Sequence, residues 1–209
     1  MSRYSFLDLA SSRSVRAAQA ELGSARLWTP GAVDRQFERF TADEAAFIAE
    51  RDSFYMASVS EGGWPYVQHR GGPPGFLKVL DETTLAFADY RGNRQYISVG
   101  NLDADDRVAL ILVDYPRRAR LKILAHAERV ALDADPALLA RVRDGDDRAR
   151  PERIFRLRLA AFDWNCPQHI TPRFTEAEIG RAVQPLRDRL EALEIENRQL
   201  RERLANPET

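Results

Sequence analysis

The stretch ADYRGNRQYISVGNL, residues 88–102, carries residue types suited to holding an anion. The apolar run at 85–88 predicts a strand, and apolar residues resume at helical spacing from position 96, so the polar group between them lies at a strand-to-helix junction. A helix N-terminus carries partial positive charge, and arginine matches phosphate oxygens. Gly92, Asn93 and Arg94 therefore indicate a phosphate site. A turn at Gly92-Asn93 followed by solvated arginines is the alternative.

A second polar cluster, DWNCPQHITPR at 163–173, has two interpretations. It is either a structural turn with a buried cysteine or a wall over a bound molecule, in which His169 contacts substrate or donates a proton. For Cys166 alone the structural interpretation is favoured, because catalytic thiol chemistry needs a base and a lowered pKa. His126 lies within a predicted strand and is assigned a structural role.

The elements that must position these residues are mostly strands. Alternating or short apolar segments, with turn residues at 61–63 and 81–83, predict seven strands joined partly by hairpins. Their positions are 54–61, 64–70, 76–81, 84–90, 107–115, 120–132 and 154–164. Many short strands with few helices between them predict an α+β, mainly β fold, in which an antiparallel sheet closes into a barrel with peripheral helices.

Three helices are expected around this sheet. A weak apolar pattern predicts one before Gly23. Thr41 and Glu44 form a capping-box pattern that opens a second helix. The segment 133–145 predicts a third, capped by an aspartate and ended by Gly145.

The C-terminal segment has a heptad pattern. Apolar residues alternate in steps of four and three, which places Val183, Leu190, Asn197 and Leu204 at a and Leu186, Leu193 and Leu200 at d. In a parallel partner, Arg189 faces Glu194 and Glu196 faces Arg201. The pattern predicts a dimeric coiled coil beginning at about Pro185, which should kink or start the helix. An amphipathic helix packed on its own barrel is the alternative.

Composition limits the remaining possibilities. The 209 residues are 44% hydrophobic and 30% charged, with a net charge of −1, which is typical of one globular domain with accessory elements. We expect an N-terminal helical extension at 1–40, a barrel at 41–174 and the terminal helix at 175–209. No apolar run approaches the ~18 residues of a membrane span, and no signal core is evident, so a cytoplasmic protein is expected. One cysteine and three scattered histidines argue against a metal site, and the net charge argues against a nucleic-acid partner.

The order of these elements resembles the pyridoxamine 5'-phosphate oxidase-like family of FMN-binding split β-barrels, over roughly residues 40–172. The most specific matches are the G-N-R-x-x-x-S-x-x-N-L run and FDWNCPQHITPR. The chain is more similar to FMN-binding relatives than to the vitamin-making oxidases. Those enzymes carry basic residues near Pro65 and Gln95 and end in a segment that holds the substrate phosphate.

The resemblance implies that FMN lies in a groove between two subunits of a homodimer. The site residues that it implies fall into three groups. The isoalloxazine ring would lie along Val67, Gln68 and His69, and the phosphate end of the cofactor would lie at Arg70. The phosphate would be held by Asn93 and Arg94, with Ser98 and Asn101 near the ribityl chain. A wall at the partner's cofactor would be formed by Trp164, Asn165 and Cys166.

Two functions are compatible with this assignment. One is an FMN-dependent oxidoreductase that acts on a small molecule, in which the flavin carries hydride or electrons. The other is a non-catalytic flavin-binding sensor or storage protein with the coil as its output. Haem or deazaflavin, which some split barrels bind, is less compatible with a phosphate site.

Overall fold

The computed structural model describes residues 6–28, 38–143, 150–164 and 168–205. The chain divides into two compact units. The first comprises residues 1–114 and 118–168, and the second comprises residues 115–117 and 169–209.

The first unit is built on one seven-stranded antiparallel sheet. Its strands are β1 (Ser53–Val59), β2 (Pro65–Gly71), β3 (Lys78–Asp81), β4 (Thr84–Tyr90), β5 (Arg107–Asp114), β6 (Ala119–Val130) and β7 (Pro151–Trp164). They are ordered β2-β1-β5-β6-β7-β4-β3. All seven predicted strands are confirmed. The expected closure is wrong, because β2 and β3 remain the two edges of the sheet and the barrel is split between them.

Short turns set the register of the two hairpins. Residues 60–64 join β1 to β2, with the Gly63 amide donating to the Ser60 carbonyl at 2.8 Å. Gly63 has φ +83°, a backbone conformation that glycine adopts without steric cost. Residues 82–83 join β3 to β4, and the Asp81 carboxylate accepts from the Thr83 amide at 2.8 Å. Both hairpins lie where the turn residues predicted them.

Six α-helices accompany the sheet among the described residues. They are α1 (Phe6–Ala10), α2 (Arg13–Glu21), α3 (Ala42–Ala49), α4 (Ile97–Ala104), α5 (Pro136–Val142) and α6 (Glu176–Ala205). The predicted N-terminal helix is two helices, because the Ser12 side chain caps a new start at α2. The capping box of Thr41 and Glu44 is present at α3, and Asp135 caps α5. Gly145, the predicted end of that helix, lies outside the described residues.

Aromatic and aliphatic side chains from β1, β4, β6 and β7 fill the interior. Phe54, Phe87 and Phe155 are almost fully buried and stack or meet edge to face at 5.2–5.3 Å between centroids. A second cluster, including Leu138 and Val142 of α5, covers the opposite face of β4. Residues 85–89 of β4 are therefore buried on both faces.

The second unit contains α6, which is longer than predicted. It begins at Glu176 and continues through Pro185, so this proline does not start the helix. Thr175 and Glu178 form a capping box, in which the Thr175 amide and hydroxyl donate to the Glu178 carboxylate at 2.7 and 2.9 Å. No residue of Glu176–Ala205 is buried. Across the described parts of the chain, no helix is long and apolar enough to span a membrane.

Candidate functional site

The junction between β4 and α4 has an unusual backbone. Arg94 and Tyr96 have φ values of +65° and +52°, in the left-handed region that non-glycine residues rarely adopt. The Asn93 side chain accepts a hydrogen bond from the Gln95 amide at 3.1 Å, which forms an Asx turn. The Tyr96 hydroxyl donates to the Glu152 carboxylate of β7 at 3.1 Å. Side-chain contacts on both sides therefore hold a conformation that the backbone alone would disfavour.

The N-terminus of α4 points its first amides at this junction without a side-chain cap from any described residue. Two polar side chains of α4 instead form hydrogen bonds to the sheet. The Ser98 hydroxyl donates to the Gln68 side chain at 2.9 Å, and the Asn101 amide donates to the Ser58 hydroxyl at 2.9 Å. Ser98 and Asn101 are both buried, so these hydrogen bonds orient α4 on β2 and β1.

Strand β2 presents its residues to two faces in alternation. Gln68 and Arg70 are half-buried on one face, whereas Val67 and His69 are exposed on the other. The His69 ring meets Tyr55 edge to face at 5.4 Å between centroids. The three consecutive residues predicted to follow one ring system therefore do not share a face of the sheet.

A cavity of about 220 Å³ lies between β2 and the junction. Five residues that the resemblance assigned to the cofactor line it together: Gln68, Arg70, Asn93, Arg94 and Ser98. Val67, His69 and Asn101 do not line this cavity. The structure thus brings together residues from a strand, a turn and a helix that are up to 30 positions apart.

Arg70 and Asp89, which line the cavity, form a charged network with Arg153 around the buried Asp89 carboxylate. Asp89 accepts hydrogen bonds from Arg70 at 2.6 Å and from Arg153 at 3.0 Å. Burial raises the pKa of Asp89 above its ordinary value, and the charges of Arg70 and Arg153 oppose that rise. Arg70 also lies over the Phe155 ring at 5.5 Å, and its buried Nε has no hydrogen-bond partner among the described residues. The network fixes Arg70 and leaves one of its N–H groups without an acceptor.

Sequence reasoning missed this network and the Tyr96–Glu152 contact. Asp89 is an acidic residue directly after the apolar run at 85–88, which is the one local sign that it is buried with a partner. Its second partner, Arg153, is opposite it in the register between β4 and β7. That pairing is 64 residues distant in sequence, and no local pattern indicates it.

The residues assigned to a wall near the partner's cofactor have separate positions. Trp164 ends β7, where its indole donates to Glu44 at 2.6 Å and its ring meets Phe47 edge to face at 4.7 Å. Asn165 and Cys166 lie outside the described residues. His169 belongs to the second unit, is exposed and has φ +63°. His126 of β6 lies 2.9 Å from Asp106 in an exposed contact, and its structural role stays a prediction. The described residues contain no group of three metal-binding side chains.

A seven-stranded antiparallel split barrel with a polar cavity at one strand-to-helix junction is the class of structure that these observations define. A family model described as pyridoxamine 5'-phosphate oxidase matches residues 40–163, more than half of the chain. The chain therefore belongs to the pyridoxamine 5'-phosphate oxidase family, as its sequence motifs predicted.

Solved structures with similarity to the chain include proteins with different names. A candidate pyridoxamine 5'-phosphate oxidase from Lactobacillus delbrueckii is 21% identical, with 61% of this chain and 96% of that chain covered and a TM-score of 0.47. HupZ of Group A Streptococcus is 14% identical, with 65% and 100% covered and a TM-score of 0.46. An FAD-binding protein from Mesorhizobium loti is 15% identical, with 60% and 94% covered and a TM-score of 0.41. A search of curated proteins finds no match.

Proposed function

We propose that the protein binds FMN and is an FMN-dependent oxidoreductase that acts on a small molecule. The observation that carries this proposal is the cavity in which Gln68, Arg70, Asn93, Arg94 and Ser98 come together, in a chain that belongs to the pyridoxamine 5'-phosphate oxidase family.

The donors around the cavity fit a phosphate group. Arg94 is exposed and, within the described residues, forms no hydrogen bond or ion pair of its own. No side chain in the described part of the chain accepts from the first amides of α4, and a helix N-terminus favours an anion. The buried Arg70 Nε is a third donor for which the described residues provide no acceptor. The charge of Arg70 is already balanced by Asp89, so Arg94 supplies the positive charge that a phosphate would meet.

The size of the cavity limits what it can enclose. Pockets that surround a drug-sized ligand are typically ~300–1,000 Å³, and this cavity is about 220 Å³. It suits the phosphate and ribityl end of the cofactor. The remainder would lie along the edge strand β2, near Val67, Gln68 and His69, in the groove that a homodimer forms in this family. Bound FMN would supply hydride or electron transfer, and the chain would position it and exclude water.

Other residues keep the roles that the sequence suggested for them. His169 is proposed as a substrate contact. Trp164, Asn165 and Cys166 are proposed as a wall near the partner's cofactor, although the Trp164 indole nitrogen is already engaged by Glu44. Asn101 is proposed to act indirectly, because its amide holds α4 against β1.

Replacement of Arg94 tests the phosphate assignment. A hydrogen bond to a charged group contributes ~1.5–3 kcal/mol, so Arg94→Ala should weaken FMN binding by roughly 10- to 100-fold in a fluorescence titration of the apoprotein. Riboflavin lacks the phosphate, so its affinity should be the same in Arg94→Ala as in the unsubstituted chain.

Arg91→Ala is the matched control, since Arg91 belongs to the same junction but does not line the cavity. It should change FMN affinity by less than about threefold, the effect of an exposed charge. If Arg94→Ala leaves FMN affinity unchanged, or weakens riboflavin to the same degree, the phosphate assignment is wrong. Rapid mixing of the FMN-loaded protein with NADH and NADPH then distinguishes the oxidoreductase from a sensor, because only the enzyme is reduced and reoxidised in turnover with an acceptor.

A further inference from the structure

One face of α6 exposes a continuous apolar stripe. The helix has 30 residues and is therefore about 45 Å long. Its stripe consists of Val183, Leu186, Leu190, Leu193, Leu200 and Leu204. The exposed fractions of its leucines lie between 42% at Leu193 and 81% at Leu204. An exposed apolar stripe of this length is unusual on a helix that remains solvated, and it indicates an interaction surface.

The spacing of the stripe is that of a coiled coil and not of a helix packed against a sheet. Its residues alternate in steps of three and four over three heptads, so they occupy only the a and d positions. A helix that packs on a globular core needs a wider apolar face, with a third position in each heptad. The narrow seam fits the matching seam of another helix.

We propose that a second copy of the chain covers this stripe, and that the two α6 helices form a parallel two-stranded coiled coil over residues 183–204. The proposal rests on α6 alone and does not depend on flavin binding.

Asn197 decides the orientation. In a parallel pair each a position meets the same residue of the partner, so the two Asn197 amides can bond to each other. In an antiparallel pair with full overlap, Asn197 would face a leucine, Leu186, and lose its hydrogen-bond partner in an apolar seam. A single asparagine at an a position is also the residue that selects two strands over three or four.

The flanking charges support pairing with an identical chain but do not decide its direction. In the parallel pair, Arg189 faces Glu194 and Glu196 faces Arg201, so no like charges meet at these positions. An antiparallel pair can also place opposite charges together, for example at Arg187 and Glu194. The direction therefore rests on Asn197.

Disulfide trapping in the full chain tests the proposal. In a Cys166→Ser background, Leu193→Cys places a thiol at a d position, where a parallel pair brings identical residues together. Mild oxidation of this variant should give a covalent dimer, which is detected on a non-reducing gel. Glu202→Cys, at the outward f position of the same helix, is the matched control and should remain monomeric.

Mixed oxidation distinguishes the two directions. Leu190→Cys and Leu193→Cys chains of different size should each form disulfides with their own kind in a parallel pair. A disulfide between 190 and 193 would show an antiparallel coil and overturn the orientation. A Leu193→Cys chain that stays monomeric alone and also forms no disulfide with Leu190→Cys, or crosslinking of Glu202→Cys to the same extent, would overturn the coiled coil itself.

Replacement of Asn197 tests whether this residue sets the parallel direction of the two α6 helices. With Asn197→Leu the seam becomes fully apolar, and antiparallel pairing no longer leaves an amide without a partner. The mixed disulfide between Leu190→Cys and Leu193→Cys should then appear together with the matched ones. If pairing remains strictly parallel in this variant, Asn197 is not what sets the direction.

Discussion

Glu44→Gln removes one buried charge that joins the start of α3 to the end of β7. The Glu44 carboxylate accepts from the Thr41 amide at 2.9 Å, from the Thr41 hydroxyl at 2.6 Å and from the Trp164 indole at 2.6 Å. The side chain is only 5% exposed, so water cannot replace these donors. Glutamine has the same shape but one acceptor oxygen, so either Trp164 or Thr41 loses its bond.

The expected loss follows from those contacts. A hydrogen bond to a charged group contributes ~1.5–3 kcal/mol, and a buried donor left without a partner costs ~1–3 kcal/mol. We therefore expect Glu44→Gln to lower the free energy of unfolding by about 2–4 kcal/mol, measured by urea denaturation followed by circular dichroism. For a chain of this size the melting temperature should fall by roughly 5–12 °C.

The pH dependence gives an independent measure of the same carboxylate. Burial alone would raise the pKa of Glu44, but hydrogen bonds from Thr41 and Trp164 outweigh it and hold the pKa below the ordinary value of 4.5. A carboxyl group with a lowered pKa in the folded state contributes stability above its unfolded pKa, and this is lost as the pH falls through the folded value. The difference between the two proteins should be constant from about pH 7 to 5 and shrink below about pH 4.5.

The chain contains a matched control for this variant. Glu178 forms the same capping box with Thr175, but Thr175 is exposed and Glu178 is only half-buried. Glu178→Gln should cost less than about 1 kcal/mol. Equal losses in the two variants, or a Glu44→Gln difference that does not shrink in acid, would show that the buried carboxylate is not the source of the stability.

Two further comparisons test the charged network and the backbone. Asp89→Asn removes the buried counter-charge of Arg70 and one of the two carboxylates paired with Arg153, and it should cost about 2–4 kcal/mol. Asp103→Asn breaks an exposed pair and should cost less than about 1 kcal/mol in the same denaturation assay, so similar values for the two variants would contradict the buried network. Gly75→Ala should destabilise the folded protein by about 1–2 kcal/mol, because φ is +77° and the added carbon would lie 3.0 Å from the Ala49 carbonyl oxygen. In Gly100→Ala, within α4, the added carbon meets open space, so this variant should be more stable by about 0.5–1 kcal/mol. A change of the same sign for both glycines would show that backbone conformation does not distinguish them.

Most of the sheet could be predicted from the sequence because its determinants are local. Period-two or short apolar runs, separated by Glu61-Gly62-Gly63 and by Asp81-Glu82-Thr83, place the strands and two hairpins correctly. Closure of the barrel could not be predicted in this way. It depends on whether the two edge strands meet, and neither β2 nor β3 carries a residue pattern that distinguishes a paired edge from an open one.

Helix boundaries depended on which of two local preferences was stronger. Pro185 lacks an amide hydrogen and was expected to start or kink the last helix. The structure begins the helix nine residues earlier, at Glu176, where Thr175 and Glu178 supply a capping box. Because the helix is exposed, water can bond the carbonyl that the proline leaves free, which lowers the cost of keeping it inside.

The candidate site was predictable only where its residues are neighbours in sequence. Asn93, Arg94 and Ser98 follow from the strand-to-helix junction, and the structure puts them on one cavity. The partners that hold this junction, Glu152 and Arg153, come from β7 and reach it only through the register of the sheet. Long-range pairing of this kind leaves no trace in a local pattern.

The position of β2 at the edge of the sheet supports the proposal that a second copy of the chain takes part in the function. Val67 and Gln68 face opposite sides of the sheet, so one cofactor can contact both only around the free edge of the strand. The cavity of about 220 Å³ encloses only part of such a ligand, so its other wall must come from elsewhere. The coil by itself would give a dimer of marginal stability. If further burial of each half-exposed leucine contributes roughly 1 kcal/mol, ten leucines give about 10 kcal/mol, against an association cost of ~4–15 kcal/mol. Three heptads are therefore marginal alone, and the barrel contact proposed for the flavin groove would add to the stability of the proposed pair.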